Sequence, residues 1–509
     1  MRSTDLIVMP AGARECKKGR VGRPVWRKHA GCPSVILAFM LRLLIILLFA
    51  TSTFAADTAA KLDALIARYH ELGLFNGSAL VAEGGQPILR KGYGEANMEW
   101  HIPNTPDTRF RLGSITKQFT AALVMHMVEQ GQIDLTAPTT RYLPDYPKPN
   151  GDRITIHQLL NHTSGIPGYT ELPVFGAARL PQKPAEFMKM FSHLDLLFEP
   201  GSKYSYNNSG FFLLGVILEK VSGKPYEQLL RERIFEPLGM KQSGYDSTRP
   251  LLEKRAAGYD ATLDGYVNTS YVDMGEPFAA GSLYSSVDDL LLWDQALYGE
   301  KVLSAASKQK MFTPGLSDYG YGLVIHKGTV TTIEHGGGIN GFNTQIERDL
   351  ETKRLYVLLN NTGGAPLREM VEGLRAILDG KQAAMPGTPA SPVLYKTWQS
   401  SGIGAVMEQL KSMQAGTVYD TREGQLSRLA RTLLGKGKTA DALEVARAAE
   451  AASPKSAGVA MLMGQVQAAA GHRVEALTAY SRAIELSDTP RALPSLTEAI
   501  RELSDLTAK

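Results

Sequence analysis

The chain has 509 residues, of which 44% are apolar and 21% are charged, and this composition excludes a disordered or fibrous protein. The formal net charge is +4, but nine basic and only two acidic residues precede residue 56, which leaves a charge of about −3 for the remainder. A near-neutral body without a basic stripe gives no indication of nucleic-acid binding.

Residues 1–56 have the pattern of an export leader. Basic residues precede the apolar run Leu43–Ala50, and small residues follow at Thr51–Ala56, which is the order typical of a secretory signal. We expect export to the periplasm or the medium, with translation starting either at Met1 or at Met40. The alternative is an uncleaved leader that tethers the protein to a membrane. Both cysteines of the chain lie in this segment, so a mature protein would hold neither a disulfide nor a cysteine metal site.

A helix and a hairpin are predicted next. Apolar residues recur at helical spacing over Asp57–Leu74. Two β-rich runs, Ser78–Ala82 and Pro87–Lys91, flank two adjacent glycines and predict an antiparallel hairpin.

A nucleophile motif follows the hairpin. Residues 114–117 read Ser-Ile-Thr-Lys, and the apolar segment Thr120–Val128 beyond them is rich in helix formers. At the start of a helix, Ser114 and Lys117 would share one face, and the positive helix end would favour an alkoxide-like serine. Burial of the amine would lower its pKa and let it accept the serine proton. The alternative is an exposed helix turn with a solvated lysine, so the interpretation depends on partners elsewhere in the chain.

Two such partners stand in an aromatic segment, where residues 204–211 read Tyr-Ser-Tyr-Asn-Asn-Ser-Gly-Phe. The hydroxyl of Tyr206, placed near an ammonium, could relay a proton, and the amide of Asn208 could orient both lysine and substrate. The alternative is an aromatic loop with a structurally satisfied asparagine.

A glycine run ends a predicted strand far downstream. Residues 335–338 read His-Gly-Gly-Gly, and glycines let a backbone approach a ligand closely and present N–H groups to an acyl oxygen. A phosphate-binding loop is the rival interpretation, but neither glycine pattern typical of such loops surrounds it.

β-rich runs at 329–334, 342–348 and 354–359 and an amphipathic helix over 365–378 indicate one α+β unit whose sheet is built from sequence-distant parts.

A linker divides the chain. Residues 381–392 hold three prolines among alanine, glycine and serine, so we place one domain over 57–380 and a second over 393–509. The second is alanine-rich, and a repeat of period 34 can be laid over residues about 423–456 and 457–490. The paired positions are Leu429/Met463, Ala430/Gly464, Gly437/Gly471, Ala442/Ala476, Leu443/Leu477, Ala449/Ala483 and Ser453/Ser487.

These paired small residues resemble the tetratricopeptide repeat. Two copies fall short of the three or so that usually stand alone. Either segments 394–415 and 491–506 supply flanking helices, or the repeats pack on the first domain. Such a region would bind a protein partner, or it is a helical tail that only packs.

The three clusters occur in the order S-x-x-K, Y-x-N, H-x-G, and together they resemble the serine β-lactamase and penicillin-binding-protein-like superfamily. The nearest branch holds class C β-lactamases, D-alanyl carboxypeptidases, D-aminopeptidases and related esterases. The resemblance covers about residues 58–380 and includes Leu159–Ile166, Gly281–Trp293 and Tyr321–Leu323. It implies an α+β fold in which an antiparallel sheet flanked by helices lies beside an all-helical lobe, followed here by the all-α repeat region.

The resemblance also implies the roles of the site residues. Ser114 would be the acylated nucleophile, and Lys117 would accept or tune its proton. Tyr206 would be the general acid/base, and Asn208 would orient Lys117 and the substrate.

The third motif departs from the family pattern. By the resemblance, His335, Gly336 and Gly337 correspond to a K-T-G element, and the backbone N–H groups of Ser114 and Gly338 form the oxyanion hole. A lysine at the first position would be a permanent cation for a substrate carboxylate, whereas an ordinary histidine is mostly neutral at pH 7. This change argues against an efficient β-lactamase and leaves a peptidase open.

The sequence therefore predicts an exported serine hydrolase that acts through an acyl-enzyme on D-alanyl peptides of cell-wall type, or on small esters or amides. The alternatives are a true class C-type β-lactamase, or a catalytically silent scaffold that binds a partner through the repeats. We expect no metal and no organic cofactor. His157 and His162 are five apart without an acidic third ligand nearby, and we interpret them as structural.

Overall fold

The computed structural model describes residues 56–172 and 183–487. The export leader and the predicted helix over 491–506 lie outside these residues. Within them, no helix is both long and apolar enough to cross a membrane.

Within the described residues, six strands form an antiparallel sheet. They are β1 (Gly77–Glu83), β2 (Gln86–Tyr93), β3 (Val324–His326), β4 (Thr332–Ile339), β5 (Phe342–Asp349) and β6 (Arg354–Asn360). The spatial order is β3-β4-β5-β6-β1-β2. The register sets Gly77 opposite Asn360 and Glu83 opposite Arg354, so the first strand lies beside the last. The hairpin and the sheet built from sequence-distant parts are both confirmed.

Helices cover both faces of this sheet, and the last five long helices form the C-terminal part of the chain. The longer ones are α1 (56–71), α2 (Thr116–Glu129), α3 (Asn208–Ser222), α4 (Val287–Tyr298), α5 (Leu367–Leu378), α6 (Ala390–Gln414), α7 (Glu423–Gly435), α8 (Thr439–Ala452), α9 (Ala457–Ala469) and α10 (Arg473–Glu485). Shorter helices are Lys148–Gly151, Ile156–Leu160, Pro184–Phe187, Lys189–Ser192, Tyr226–Leu230, Glu236–Leu238, Phe278–Gly281 and Ala305–Met311. Short strands pair outside the main sheet: Glu95–Asn97 with Ile102–Pro103, Leu283–Ser285 with Phe110–Arg111 and Gly244–Tyr245, Tyr259–Thr262 with Gly265–Asn268, and Thr388–Pro389 with Tyr419–Asp420.

The amphipathic helices α1 and α5 cover one face of the sheet. Leu62, Leu65 and Ile66 of α1 pack in one core with Met370 and Leu374 of α5. Their spacing of three and four residues places them on one side of each helix, as the sequence predicts.

Helix α2 lies buried on the other face, between the sheet and the helical lobe. All residues from Thr116 to Met125 are buried, including the polar side chains of its first two turns. The ring of Phe119 lies 4.4 Å from that of Trp293, and Trp293 Nε1 donates to Gln118 Oε1 at 2.6 Å. The tertiary structure thus fixes this helix rigidly, and its first turn carries Lys117.

In the C-terminal part, the described residues up to 487 are helical, as predicted, apart from loops and the two-residue strand Tyr419–Asp420. Helices α7 and α8 form one antiparallel pair, and α9 and α10 form another. Gly437 and Gly471, one period of 34 apart, lie in the turns of the two pairs with φ of 72° and 79°. Helix α6, interrupted at Gly402, flanks the first pair, with Leu394 and Val406 in the same core as Leu426. The tetratricopeptide resemblance and the domain boundary at 381–392 stay predictions.

Candidate active site

Ser114 lies in a 3-10 turn, Gly113–Ile115, that leads directly into α2 at Thr116. The sequence predicts that residues 114–117 open the helix, and in the structure Ser114 lies two residues before its first α-helical residue. Gly113 has φ of 55°, and a Cβ there would lie 2.8 Å from the backbone nitrogen of Gly338. Only glycine allows this turn to pack so closely against β4. The side chain of Ser114 therefore opens onto a cleft bordered by β4.

The amine of Lys117 is completely buried beside Ser114. Its Nζ lies 3.0 Å from Ser114 Oγ, 2.8 Å from Asn208 Oδ1 and 2.9 Å from the carbonyl oxygen of Ala280. An amide oxygen and a carbonyl oxygen can only accept, so they take two N–H groups of the amine. The third tetrahedral position on the Lys117 nitrogen points at the serine hydroxyl. In the neutral amine that position is the lone pair, so the geometry suits removal of the serine proton.

Polar side chains of α2 hold the segment that supplies Ala280. Thr120 Oγ1 donates to Ala279 O at 2.7 Å, and Thr116 Oγ1 accepts from Leu283 N at 3.1 Å. These buried bonds lie on both sides of Ala280. They hold its carbonyl oxygen against Lys117 with little freedom.

Asn208 is positioned by a helix start. Asn207 is the N-cap of α3, and its Oδ1 accepts from Gly210 N at 2.9 Å. This cap sets the residues on either side, Tyr206 and Asn208, at the entrance of the cleft. Asn208 Nδ2 donates to Thr170 Oγ1 at 3.1 Å, which fixes the amide so that its oxygen faces Lys117. Asn207, the middle residue of the Y-x-N triplet, thus caps the helix.

Tyr206 belongs to a group of packed aromatic rings. The amine of Lys117 lies 4.8 Å from the centre of its ring, within the range of a cation–π contact. The ring of His162 packs against it in a tilted arrangement at 4.3 Å and against Tyr319 at 4.5 Å. These rings leave Tyr206 little rotational freedom beside Lys117.

His335 is buried and neutral. Its Nδ1 donates to the carbonyl oxygen of Gly336 at 2.5 Å, so Nε2 carries no proton and accepts from the hydroxyl of Tyr319 at 2.9 Å. Burial, together with the charge of Lys117, lowers the pKa of His335 to about 3. The histidine therefore offers no cation to a substrate carboxylate, and it fixes Tyr319 instead.

We expect His335 to make folding sensitive to acid. Its folded pKa of about 3 lies below the ordinary 6.5, so between these values the unfolded chain binds a proton that the folded chain does not. The contribution of neutral His335 to the free energy of unfolding is therefore complete above pH 6.5. As the pH falls below this value, the free energy of unfolding decreases by up to about 1.4 kcal/mol per pH unit. Urea unfolding at pH 7.5 and 4.5 should show a smaller acid loss for His335→Gln, which keeps an acceptor for Tyr319. His193→Gln, at an exposed histidine, should behave as wild type. An equal loss in all three proteins would contradict the assignment.

The three glycines after His335 have different surroundings. A Cβ on Gly337 would overlap the carbonyl oxygen of Leu112, so this residue permits close packing behind the cleft wall. Gly336 and Gly338 line the cleft, and a Cβ on Gly338 would meet nothing within 4 Å. The backbone of Gly338 therefore borders open space beside Ser114, where an oxyanion hole would have to be.

The cleft has a volume of about 910 Å³ and a strongly aromatic lining. Its walls include Tyr169, Tyr204, Tyr206, Tyr319, Pro277 and Ile339. Among the described residues that line it, Arg368 is the one cation, and its side chain is 73% exposed. Arg368 Nη2 lies 2.8 Å from Glu334 Oε1. The carboxylate of Glu334 also accepts from Gln345 Nε2 at 2.6 Å, so Arg368 is not its only partner.

Sequence reasoning missed three parts of this site. Arg368 stands in the first turn of α5 and Thr170 in a short turn, far along the chain from the motifs they serve. Neither has a motif around it that would mark it. The third part, the carbonyl oxygen of Ala280, is a backbone atom that no residue pattern can reveal.

Histidines outside the cleft have structural contacts. His157 Nδ1 lies 2.7 Å from the hydroxyl of Tyr321, and His162 packs among the rings described above. In residues 56–172 and 183–487, no group of three or more His, Cys, Asp or Glu side chains is arranged to hold a metal ion.

A serine whose hydroxyl meets a buried lysine at the head of a central helix, in a deep cleft, is the arrangement of a serine hydrolase. The family model described as Beta-lactamase matches residues 59–379, and the chain belongs to this family. The resemblance drawn from the three motifs is thereby confirmed.

Similar known proteins support the assignment to this family. Penicillin-binding protein 4* of Bacillus subtilis (strain 168) is 32% identical over 342 residues, which cover 62% of this chain and 73% of that protein. A D-aminopeptidase of Gluconobacter oxydans (strain 621H) is 27% identical over 372 residues, covering 70% and 69%. The crystal structure of D-amino acid amidase from Ochrobactrum anthropi SV3, complexed with L-phenylalanine amide, has a TM-score of 0.57 at 27% identity and covers 64% of this chain and 99% of that one.

Proposed function

We propose that this serine hydrolase cleaves peptides or amides of D-amino acids, and that it prefers substrates with a free carboxylate next to the leaving group. The observation that carries the proposal is the pairing of the Lys117–Ser114 contact with Arg368 in one cleft. The names of its relatives, a penicillin-binding protein, a D-aminopeptidase and a D-amino acid amidase, support the substrate class.

The reaction would proceed in two steps. Lys117 takes the proton as Ser114 Oγ attacks the substrate carbonyl carbon, and the negative oxygen lies against the backbone of Ser114 and Gly338. The carbon–nitrogen bond then breaks, and the leaving amine takes a proton relayed through Tyr206 or Lys117. A water molecule next attacks the acyl-enzyme, loses a proton to the same groups, and returns Ser114 to its hydroxyl form. Asn208 orients Lys117 throughout.

Arg368 would recognise the substrate carboxylate, in place of the lysine that the family motif has at position 335. A guanidinium binds a carboxylate in a planar, two-point geometry. Because His335 is neutral, Arg368 is the cation that a carboxylate in the cleft can reach among the described lining residues.

The test is a substrate panel with Arg368→Gln beside wild type. The panel holds an N-acylated D-alanyl-D-alanine peptide, the same peptide with a C-terminal amide, a short-chain ester and a chromogenic cephalosporin. We expect Arg368→Gln to raise KM for the free-acid peptide by about tenfold, equivalent to about 1.4 kcal/mol, and to leave KM for the amide unchanged. Arg231→Gln, at an exposed position away from the cleft, is the matched control.

The remaining outcomes of the panel separate the alternatives. Turnover of the cephalosporin above all other substrates would identify a β-lactamase. Turnover of the ester alone would identify an esterase and exclude the peptidase. An unchanged KM for the free-acid peptide in Arg368→Gln would remove Arg368 from recognition. Export and a protein partner of the C-terminal helices remain predictions of the sequence.

A further inference from the structure

In the part of the chain that the structure describes, the C-terminal helices contact the hydrolase part through Arg422 and through a hairpin. The first contact is made by Arg422, the N-cap residue of α7. Its Nη1 and Nη2 donate to the two oxygens of Glu369 at 2.9 and 3.1 Å, and its Nε donates to Asp420 at 2.9 Å. Glu369 lies in the first turn of α5, directly after Arg368. The C-terminal helices thus contact the turn that carries the cleft cation.

This first turn of α5 has no cap of its own. Its N-cap position is Pro366, and no side chain there accepts from the first N–H groups. A helix start without a side-chain cap is free to fray unless outside contacts fix it. The two-point bond from Arg422 supplies such a contact, and its planar geometry fixes orientation as well as distance.

The second contact is made by the hairpin Tyr259–Thr262 and Gly265–Asn268. Asp264 at its tip accepts from the hydroxyl of Tyr395 at 2.6 Å and pairs with Lys436 Nζ at 2.8 Å. The neighbouring Leu263 packs against the core of the C-terminal helices. These contacts anchor the hairpin to α6 and to the end of α7.

The hairpin leads to the rim of the cleft. Ser270, two residues beyond it, accepts at its carbonyl and hydroxyl oxygens from Asn340 Nδ2, both at 2.9 Å. Asn340 lies in the turn between β4 and β5 and lines the cleft. The strand that follows this turn is tied to the start of α5, because Asn343 Nδ2 of β5 donates to Ala365 O at 2.9 Å. Both contacts therefore end on one side of the cleft.

We propose that the C-terminal helices are a positioning element for the carboxylate-binding side of the cleft. Arg422 acts through Glu369 on Arg368, and Lys436 acts through Asp264 on the rim at Asn340. This inference rests on the proposed function, in which Arg368 recognises the substrate carboxylate. Exposed ion pairs of this kind contribute little to global stability, whereas a small displacement of a binding group weakens recognition strongly. The two pairs therefore matter for substrate affinity.

The test is the double variant Arg422→Gln/Lys436→Gln, measured with the D-alanyl-D-alanine peptide and with its C-terminal amide. We expect KM for the free-acid peptide to rise about fivefold, a value within the range of coupling between sites. The values of kcat for both peptides and KM for the amide should stay within about twofold of wild type. The two single variants should each give part of the rise, which keeps the test valid if the double variant folds poorly.

The matched control is Arg482→Gln. Arg482 pairs with Glu450 at 3.1 Å within the C-terminal helices and is exposed to a similar extent. We expect it to leave both KM values unchanged. An unchanged KM for the free-acid peptide in the double variant, or an equal rise for both peptides, would overturn the inference.

The two proposals fail in different ways. If wild type forms no acyl-enzyme with any peptide, the proposed function is wrong. If Arg368→Gln raises KM for the free-acid peptide and the double variant does not, only the positioning role of the C-terminal helices is wrong.

Discussion

Replacement of Ser114 by alanine is expected to abolish covalent labelling by a fluorescent phosphonate and to lower kcat/KM by at least about 10⁴-fold. The hydroxyl of Ser114 lies 3.0 Å from the buried amine of Lys117 and borders the cleft. Without that oxygen no acyl-enzyme can form, whatever the substrate. In-gel fluorescence and intact-protein mass measure the adduct, and the substrate panel measures the rate.

The control for this variant is Ser205→Ala. Ser205 also lines the cleft, so the control tests whether any serine in this cavity reacts. We expect full labelling of Ser205→Ala. An adduct of equal yield on Ser114→Ala would show that Ser114 is not the nucleophile. The absence of any adduct on wild type would favour the silent scaffold over the hydrolase.

Replacement of Lys117 by methionine is expected to lower kcat/KM by about 10³-fold, the range of a lost general base. Methionine has a similar length and fills the same space, but it cannot take the proton of Ser114. The protein should unfold at the same temperature or a higher one, because a buried amine that needs three hydrogen bonds is replaced by an apolar side chain. Labelling rate and thermal unfolding, measured on the same preparation, separate the two effects.

Lys241→Met, at an exposed lysine, is the matched substitution and should leave labelling and rate unchanged. A Lys117→Met protein that keeps more than about a tenth of the wild-type rate would remove Lys117 from proton transfer. A large fall in unfolding temperature would instead mean that the three hydrogen bonds of Lys117 stabilise the fold more than its burial costs.

Local pattern was enough to predict much of the fold. The spacing of Leu62, Leu65 and Ile66 predicted the side of α1 that packs on the sheet, because helical period alone decides which residues share a face. The hairpin around Gly84 was equally local. The pairing of β1 with β6 could be expected only in outline, since the sequence separation of their residues gives no register.

Two of the three motifs of the site could also be recognised from the sequence. Ser114 and Lys117 lie three residues apart, and helix geometry brings them together without help from the rest of the chain. Tyr206 and Asn208 flank a helix cap for a similarly local reason. The structure brings Lys117 and Asn208 to 2.8 Å of each other, although 91 residues separate them. Their roles in the reaction stay predictions until the variants are measured.

His335 shows what local reasoning cannot supply. The sequence identified it as the departure from the family motif, but a histidine can be charged or neutral near pH 7. Its burial, its bond to Tyr319 and the nearby Lys117 favour the neutral form, and these two neighbours come from two other segments of the chain. Among the described residues that line the cleft, the cation is Arg368, on a helix that the sequence marked only as amphipathic.

The sequence by itself determined the family, the nucleophile motif and the helical nature of the C-terminal part, because each depends on residue types at short fixed spacings. Only the tertiary structure decided which carbonyl holds Lys117, which described cation lines the cleft, and how Arg422 reaches the start of α5. Those properties depend on distances between segments that are far apart in the chain. Such distances are set by the packing of the whole core, and no local pattern encodes them.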